Sequence, residues 1–324
     1  MKKITILVPC YNEELTVQIF YEKLQSVWKQ FADEYALELL FINDGSRDGT
    51  RMLLQNMQEK DTRVAYIDLS RNFGKEIALA AGFDYCHGDA VIIMDADLQD
   101  PPELIPAMLQ YWEQGYADVY ARRRSREGES WIKKTSAHFY YHILQKMTKI
   151  EVQIDTGDFR LLDRQCIEAL KAMCECQRNT KGLFSWIGYK KKELLFDRPK
   201  RVAGETKWSY WKLCTLAIDG LTSFSTVPLK LSSFLGLVIS FCSFLYMIWT
   251  ITKTLIFGDP VAGYPSLICF ILFIGGVQLI VLGIIGEYLG RVFNESKQRP
   301  LYLVNEYNGK KVVGVKYQHD AKNK

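Results

Sequence analysis

The 324-residue sequence predicts an α/β domain on a mostly parallel sheet, followed by a two-helix transmembrane hairpin. Three observations predict it. Short apolar, β-branched runs alternate with helix-like segments through the first part of the chain, as in a sheet covered on both faces. Near the C-terminus lie two runs without a charge, 22 residues over 231–252 and 27 over 260–286. Lysine and arginine flank these runs and are absent from the 254–264 segment that joins them.

The runs 4–8, 37–42, 64–69, 91–94 and 118–121 read as short buried strands. Helices are expected between them over 13–31, 48–58, 74–86 and 103–114. Asp100, ahead of Pro101-Pro102-Glu103, has the chemistry of a helix N-cap. Segments 131–149 and 208–221 mix aromatic residues (Trp131, Phe139, Tyr140; Trp208, Tyr210, Trp211) with lysines (Lys133, Lys134, Lys146; Lys207, Lys212). Basic, aromatic, amphipathic helices of this kind lie in the plane of the lipid headgroups. About 20 apolar residues cross a bilayer, so each charge-free run is long enough to span. Lys200, Arg201, Lys207, Lys212 and Lys230 precede the first run; Arg291, Lys297, Arg299, Lys310 and Lys311 follow the second. The positive-inside rule then puts both ends in the cytoplasm and the joining loop outside. The expected organisation is a cytoplasmic domain over 1–228, the hairpin over 229–290 and a cytoplasmic tail over 291–324.

A hydrophobic content of 48% supports a sizeable core, and a net charge of +4 is too mild to imply a nucleic-acid partner. Met1-Lys2-Lys3 leads directly into a strand-like run, so no cleavable signal peptide is expected. The eight cysteines are scattered, and Cys174-x-Cys176 has no matching second pair. That argues against zinc and for reduced thiols in a cytosol-facing protein. His138 and His142 stand one helical turn apart with no third ligand beside them.

The chemistry concentrates at strand ends. The fourth apolar run stops in Asp95-Ala96-Asp97-Leu98-Gln99-Asp100. Paired carboxylates repel unless a cation lies between them, and hard oxygen ligands suit Mg²⁺ or Mn²⁺. The first run ends in Val8-Pro9-Cys10-Tyr11-Asn12-Glu13-Glu14, and the second in Asn43-Asp44-Gly45-Ser46-Arg47-Asp48-Gly49-Thr50. Three strand ends thus deliver acids and amides to one sheet edge, where ligands bind in open α/β sheets.

These three motifs resemble the inverting glycosyltransferases of family 2, with a GT-A fold. The nearest resemblance is to the polyprenyl-phosphate (dolichol-phosphate-mannose-synthase-like) group, and within it to bacterial bactoprenol glucosyltransferases that serve O-antigen or wall glucosylation. Gly286-Glu287-Tyr288-Leu289-Gly290-Arg291 and Arg299-Pro300-Leu301-Tyr302 also fit that group, so the resemblance runs from Ile4 to about Tyr302. It implies an inner-membrane, multi-pass enzyme. That enzyme would transfer a sugar, glucose first among them, from a UDP-sugar to undecaprenyl or another polyprenyl phosphate with inversion. Pro9, Tyr11, Glu13 and Asp44 would hold the uridine. Asp95, Asp97 and Gln99 would gather Mg²⁺ or Mn²⁺ and the donor pyrophosphate. Asp158, in Asp155-Thr156-Gly157-Asp158-Phe159-Arg160, stands at the position usually given to the base. Arg122, Lys133, Ser136 and Arg201 would face the acceptor phosphate, with Thr206 replacing a serine in the Arg-x-x-Gly-x-Ser-Lys loop.

A phosphate monoester has a second pKa of about 6, so the acceptor oxygen is largely ionised at cytoplasmic pH. Asp158 is therefore open to a positioning role instead of proton removal. No residue pattern selects among glucose, N-acetylglucosamine, a 4-amino-arabinose donor or GDP-mannose. A processive polysaccharide synthase would carry a Gln-x-x-Arg-Trp motif and more spans; this chain has neither. Membrane lipids are expected partners, and the lipid-facing surface of a hairpin is suited to homo-oligomers.

Overall fold

The computed structural model describes residues 1–124, 156–176, 178–197, 227–257 and 263–312. The expected interfacial segments 131–149 and 208–221, with Lys133, Ser136, His138, His142 and Arg201, lie outside the described residues.

The first half of the chain alternates β1 (Lys2–Cys10), α1 (Val17–Trp28), β2 (Tyr35–Asn43), α2 (Thr50–Lys60), β3 (Val64–Leu69), α3 (Lys75–Tyr85), β4 (Ala90–Ile93), α4 (Ile105–Glu113) and β5 (Asp118–Arg123). All five strands and four helices expected from hydrophobic patterning are present, each within a few residues of its expected limits. Then come β6 (Thr156–Asp163), α5 (Arg164–Ala172), α6 (Thr180–Trp186), β7 (Lys191–Phe196), α7 (Val227–Phe257), α8 (Tyr264–Ser296), β8 (Val304–Tyr307) and β9 (Lys310–Lys311).

Among the described residues, nine strands form one sheet in the order β7-β5-β6-β4-β1-β2-β3-β8-β9. Strands β4, β1, β2 and β3 are mutually parallel, and β5 runs parallel to β7. β6 is antiparallel to both β4 and β5, and β8 is antiparallel to β3. The expected α/β sheet is present: its centre, β4-β1-β2-β3, is parallel, and antiparallel pairs on either side make the whole sheet mixed. Helical crossovers through α1, α2 and α3 enforce the parallel neighbours among β1–β4.

Strand alternation divides the core into two layers. Ile4, Ile6, Val8, Phe41 and Ile92 pack with Phe20, Leu24 and Trp28 of α1 and with Met108 and Trp112 of α4. Leu7, on the other face, meets α3, where an added Cβ at Gly82 would come within 2.5 Å of its Cδ1. Burial on both faces explains why β1, β2 and β4 are nearly continuous apolar runs.

The chain divides into two compact units, residues 1–210 with 299–324, and residues 211–298. The C-terminal segment expected as a tail contributes β8 and β9 to the sheet of the first unit. Glu306 accepts hydrogen bonds from Tyr66 Oη and, at 2.6 Å, from Arg51 Nη2. Asn305 donates to Asp68 at 2.9 Å, and Tyr302 to Asp84 at 2.6 Å. The second unit contains α7 and α8. Tyr246 of α7 stacks against Phe270 of α8, with ring centres 5.1 Å apart. Phe234, Leu237, Phe241, Leu279, Ile280 and Leu289 are exposed. The stretch Phe273–Ser296 within α8 is long and apolar enough to cross a membrane.

Candidate active site

The loops that follow β1 and β2 are stitched together. Asn12, in the left-handed region at φ 56°, accepts a hydrogen bond from Arg47 N–H at 2.8 Å while its own N–H donates to Ser46 Oγ. Asparagine tolerates that backbone better than most residues. Glu13 N–H donates to Thr50 Oγ1 at 2.8 Å, and Gly49 N–H to Glu14 Oε2 at 2.9 Å. Gly45 has φ 65°, and a Cβ there would stand 2.4 Å from the Arg71 carbonyl carbon, so glycine is required.

The Asp44 carboxylate is buried at 3% exposure. It accepts from Phe73 N–H at 2.7 Å and from Gly74 N–H at 2.9 Å. Burial pushes this carboxyl up, against the pull of those two bonds and of Arg71. Asp44 thereby pins the turn that starts α3, where Gly74 adopts φ 96°.

The next residue, Lys75, places its ammonium between two carboxylates. Nζ lies 2.6 Å from Asp95 Oδ1 and 2.6 Å from Asp158 Oδ2. Burial works against the Lys75 charge, but Asp95 and Asp158 outweigh it and hold the ammonium above the usual lysine range. For Asp158, burial raises the pKa, yet Lys75, followed by Lys181, pulls it below the usual carboxylate value. Asp158 Oδ1 is buried with no hydrogen-bond partner among the described residues. Glu76 accepts from Thr180 N–H at 2.9 Å and from its hydroxyl, tying α3 to α6.

The Asp95–Asp100 loop is shaped by an outlier. Leu98 adopts φ 61°, which is uncommon for a bulky residue and marks local strain. Gln99 N–H donates to Asp97 Oδ1 at 3.1 Å, and Asp95 N–H to Asp100 Oδ2 at 3.0 Å. Asp100 is therefore not the N-cap expected from Asp-Pro-Pro-Glu. Its carboxylate turns back into the acidic loop, and the following 3₁₀ turn Pro102–Leu104 has no side-chain cap. Burial, reinforced by Asp95, raises the Asp100 carboxyl to about 7.

Pro9, Tyr11, Glu13, Asp44, Lys75, Asp95 and Asp97 line one cleft of about 300 Å³. The structure thus brings together all but one of the residues assigned to donor and metal. Gln99 is buried and does not line the cleft. Asp158 joins the group through Lys75. Arg122 lies on β5 in register with Thr156, and its guanidinium donates to Glu193 at 3.1 Å. Sequence reading missed Lys75 and Glu76. The only signal was their position after an Asn-Phe-Gly turn at a helix start. It also missed Arg160, fully buried with Asp118 at 3.1 Å and stacked 4.0 Å from the Phe184 ring centre.

The cleft has hard oxygen donors in Asp95 and Asp97, which fit Mg²⁺ or Mn²⁺. No three His, Cys, Asp or Glu side chains enclose a metal among the described residues. Two carboxylates on one cleft wall suit an ion completed by substrate phosphates, as Mg²⁺ commonly is.

Residues 5–171 match the family described as glycosyl transferase family 2, and residues 227–292 match the GtrB C-terminal hairpin. An uncharacterized glycosyltransferase of Synechocystis sp. is 49% identical, over 95% of this chain and 96% of its own length. A bactoprenol glucosyl transferase of Shigella phage SfV is 43% identical, over 93% of this chain and 98% of its own. Among solved structures, glucosyl-3-phosphoglycerate synthase from Mycobacterium tuberculosis aligns with a TM-score of 0.46 and 15% identity, covering 68% of this chain and 78% of that one.

Proposed function

Because the chain belongs to glycosyltransferase family 2, we propose that it moves one glucosyl group from UDP-glucose to a polyprenyl phosphate, with inversion at the anomeric carbon. The observation that carries this reading is the line of charge Asp95–Lys75–Asp158 beside a cleft walled by Pro9, Tyr11, Glu13 and Asp44. It has a donor side and an acceptor side joined by one ammonium. The lipid acceptor and the glucosyl group draw support from the relatives of known type, the bactoprenol glucosyl transferases at 42–43% identity.

Uridine would rest against Pro9 and Tyr11, with Asp44 holding the turn beneath it. Asp95 and Asp97, which line the cleft, would hold Mg²⁺ or Mn²⁺, and Gln99, buried behind them, would support their loop. The bound ion offsets the negative charge that builds on the departing UDP. An oxygen of the acceptor phosphate attacks the anomeric carbon, and the bond from that carbon to the UDP oxygen breaks. The acceptor needs no base if it is already ionised, and an Asp158 carboxylate held low by Lys75 is a poor proton acceptor. Asp158 therefore positions the acceptor. Arg122, Arg201, Lys133 and Ser136 would bind its phosphate, arginine being suited to bidentate contact.

The hairpin and the apolar stretch Phe273–Ser296 associate the enzyme with a membrane. The charge asymmetry of the flanks supports two spans in the bacterial inner membrane with the catalytic domain in the cytoplasm. The test is transfer of radiolabel from UDP-glucose to a short polyprenyl phosphate in detergent with Mg²⁺ or Mn²⁺. The expected product is an acid-labile, monoglucosylated lipid. Label left wholly in UDP-glucose, or built into a polymer, would overturn the proposal.

A further inference from the structure

Lys75 stands where the two sides of the cleft meet, 2.6 Å from Asp95 and 2.6 Å from Asp158. Its side chain is 39% exposed, so it faces the cleft and is not sealed in the core. Its backbone is held on both sides. Asp44 grips the N–H groups of Phe73 and Gly74, and Glu76 is bonded to Thr180. The clamped main chain fixes where the lysine starts. The four-carbon stem leaves the ammonium free to change partners.

Two carboxylates brought this close require a cation between them. Here Lys75 supplies it, through Asp95 Oδ1, and Asp95 lines the cleft together with Asp97. We propose that Lys75 is a positioning residue with two settings. Before the donor arrives, it occupies Asp95 and competes with a divalent cation for that carboxylate. When cation and pyrophosphate bind together, it releases Asp95 and keeps Asp158 in place for the acceptor. The cation thus binds weakly to the donor-free enzyme and tightly once the nucleotide adds its own oxygens. This inference rests on the reading of Asp95 and Asp97 as metal ligands.

The experiment is a Mn²⁺ titration of the full-length, detergent-solubilised chain without nucleotide or lipid, following free Mn²⁺ by its paramagnetic resonance signal. Lys75→Met should bind Mn²⁺ about tenfold more tightly than the unmodified chain. That is the low end for a charge-assisted contact, because Lys75 is more than a third exposed. Lys75→Arg should stay near the unmodified affinity, and adding Asp97→Ala to Lys75→Met should abolish the gain. In turnover, Lys75→Met should lower kcat with little change in KM for UDP-glucose, and Lys75→Arg should recover part of it. If Lys75→Met loses its cooperative thermal transition, Lys75→Gln serves as the second variant. Equal Mn²⁺ affinity with and without the lysine, or no Mn²⁺ binding by either chain, would overturn the inference. The titration contains no sugar or acceptor, so a failure to transfer glucose would count against the proposed reaction alone.

Discussion

Asp158→Asn separates a positioning carboxylate from an obligatory base. Asparagine keeps the shape and removes the charge that meets Lys75 at 2.6 Å. A charge-assisted hydrogen bond is worth roughly 1.5–3 kcal/mol, and the exposure of Lys75 puts this one near the lower value. If the contact is felt in the transition state, turnover should fall about tenfold. Loss of a general base would cost on the order of 10²- to 10⁴-fold. The assay is initial-rate transfer from UDP-glucose to polyprenyl phosphate between pH 5.5 and 8, with acceptor binding measured separately. Positioning predicts residual activity whose pH profile follows ionisation of the acceptor phosphate near 6. A completely inactive variant that binds acceptor normally, and that no rise in pH rescues, would refute the reasoning and restore the base.

Three further outcomes are expected. Asp97→Ala should abolish transfer and remove the Mg²⁺ or Mn²⁺ dependence of UDP binding while leaving the fold intact; full activity of the unmodified enzyme in excess EDTA would contradict the metal reading. Arg160→Met should strand the fully buried Asp118 at a cost of roughly 3–5 kcal/mol, seen as a lower thermal midpoint in detergent, and adding Asp118→Asn should restore much of it. An unchanged midpoint would show the pair to be dispensable. A single cysteine placed in the 258–263 loop should react with an impermeant thiol reagent from outside intact cells, and one near residue 310 only after lysis; the reverse pattern would invert the topology.

The Asp95–Asp100 loop shows how a local signal and its tertiary outcome part. Asp-Pro-Pro-Glu is a favourable helix start by composition. In the fold, the Asp95 N–H just beyond β4 needs an acceptor, and Asp100 is the group that reaches it. The left-handed Leu98 makes that return possible. The turn and its two hydrogen bonds set Asp95 and Asp97 at the cleft wall, where the proposed chemistry needs them.

The sequence by itself determined the strands β1–β5, the helices between them and the two long apolar helices, because each rests on a periodicity or run within one segment. It also located the acids at the ends of β1, β2 and β4, since parallel strands present their C-terminal ends along a common edge. Only the tertiary structure decided that β6 inserts antiparallel between β4 and β5, and that Val304–Tyr307 closes onto β3. Such pairings join residues far apart in the chain, and no local pattern encodes the partner. The same holds for Lys75, which in sequence is an ordinary lysine at a helix start, and for Arg160, whose partner no local pattern names. One bridges two carboxylates and the other forms a buried ion pair because of acids delivered from other segments, Asp95 and Asp158 to the first and Asp118 to the second.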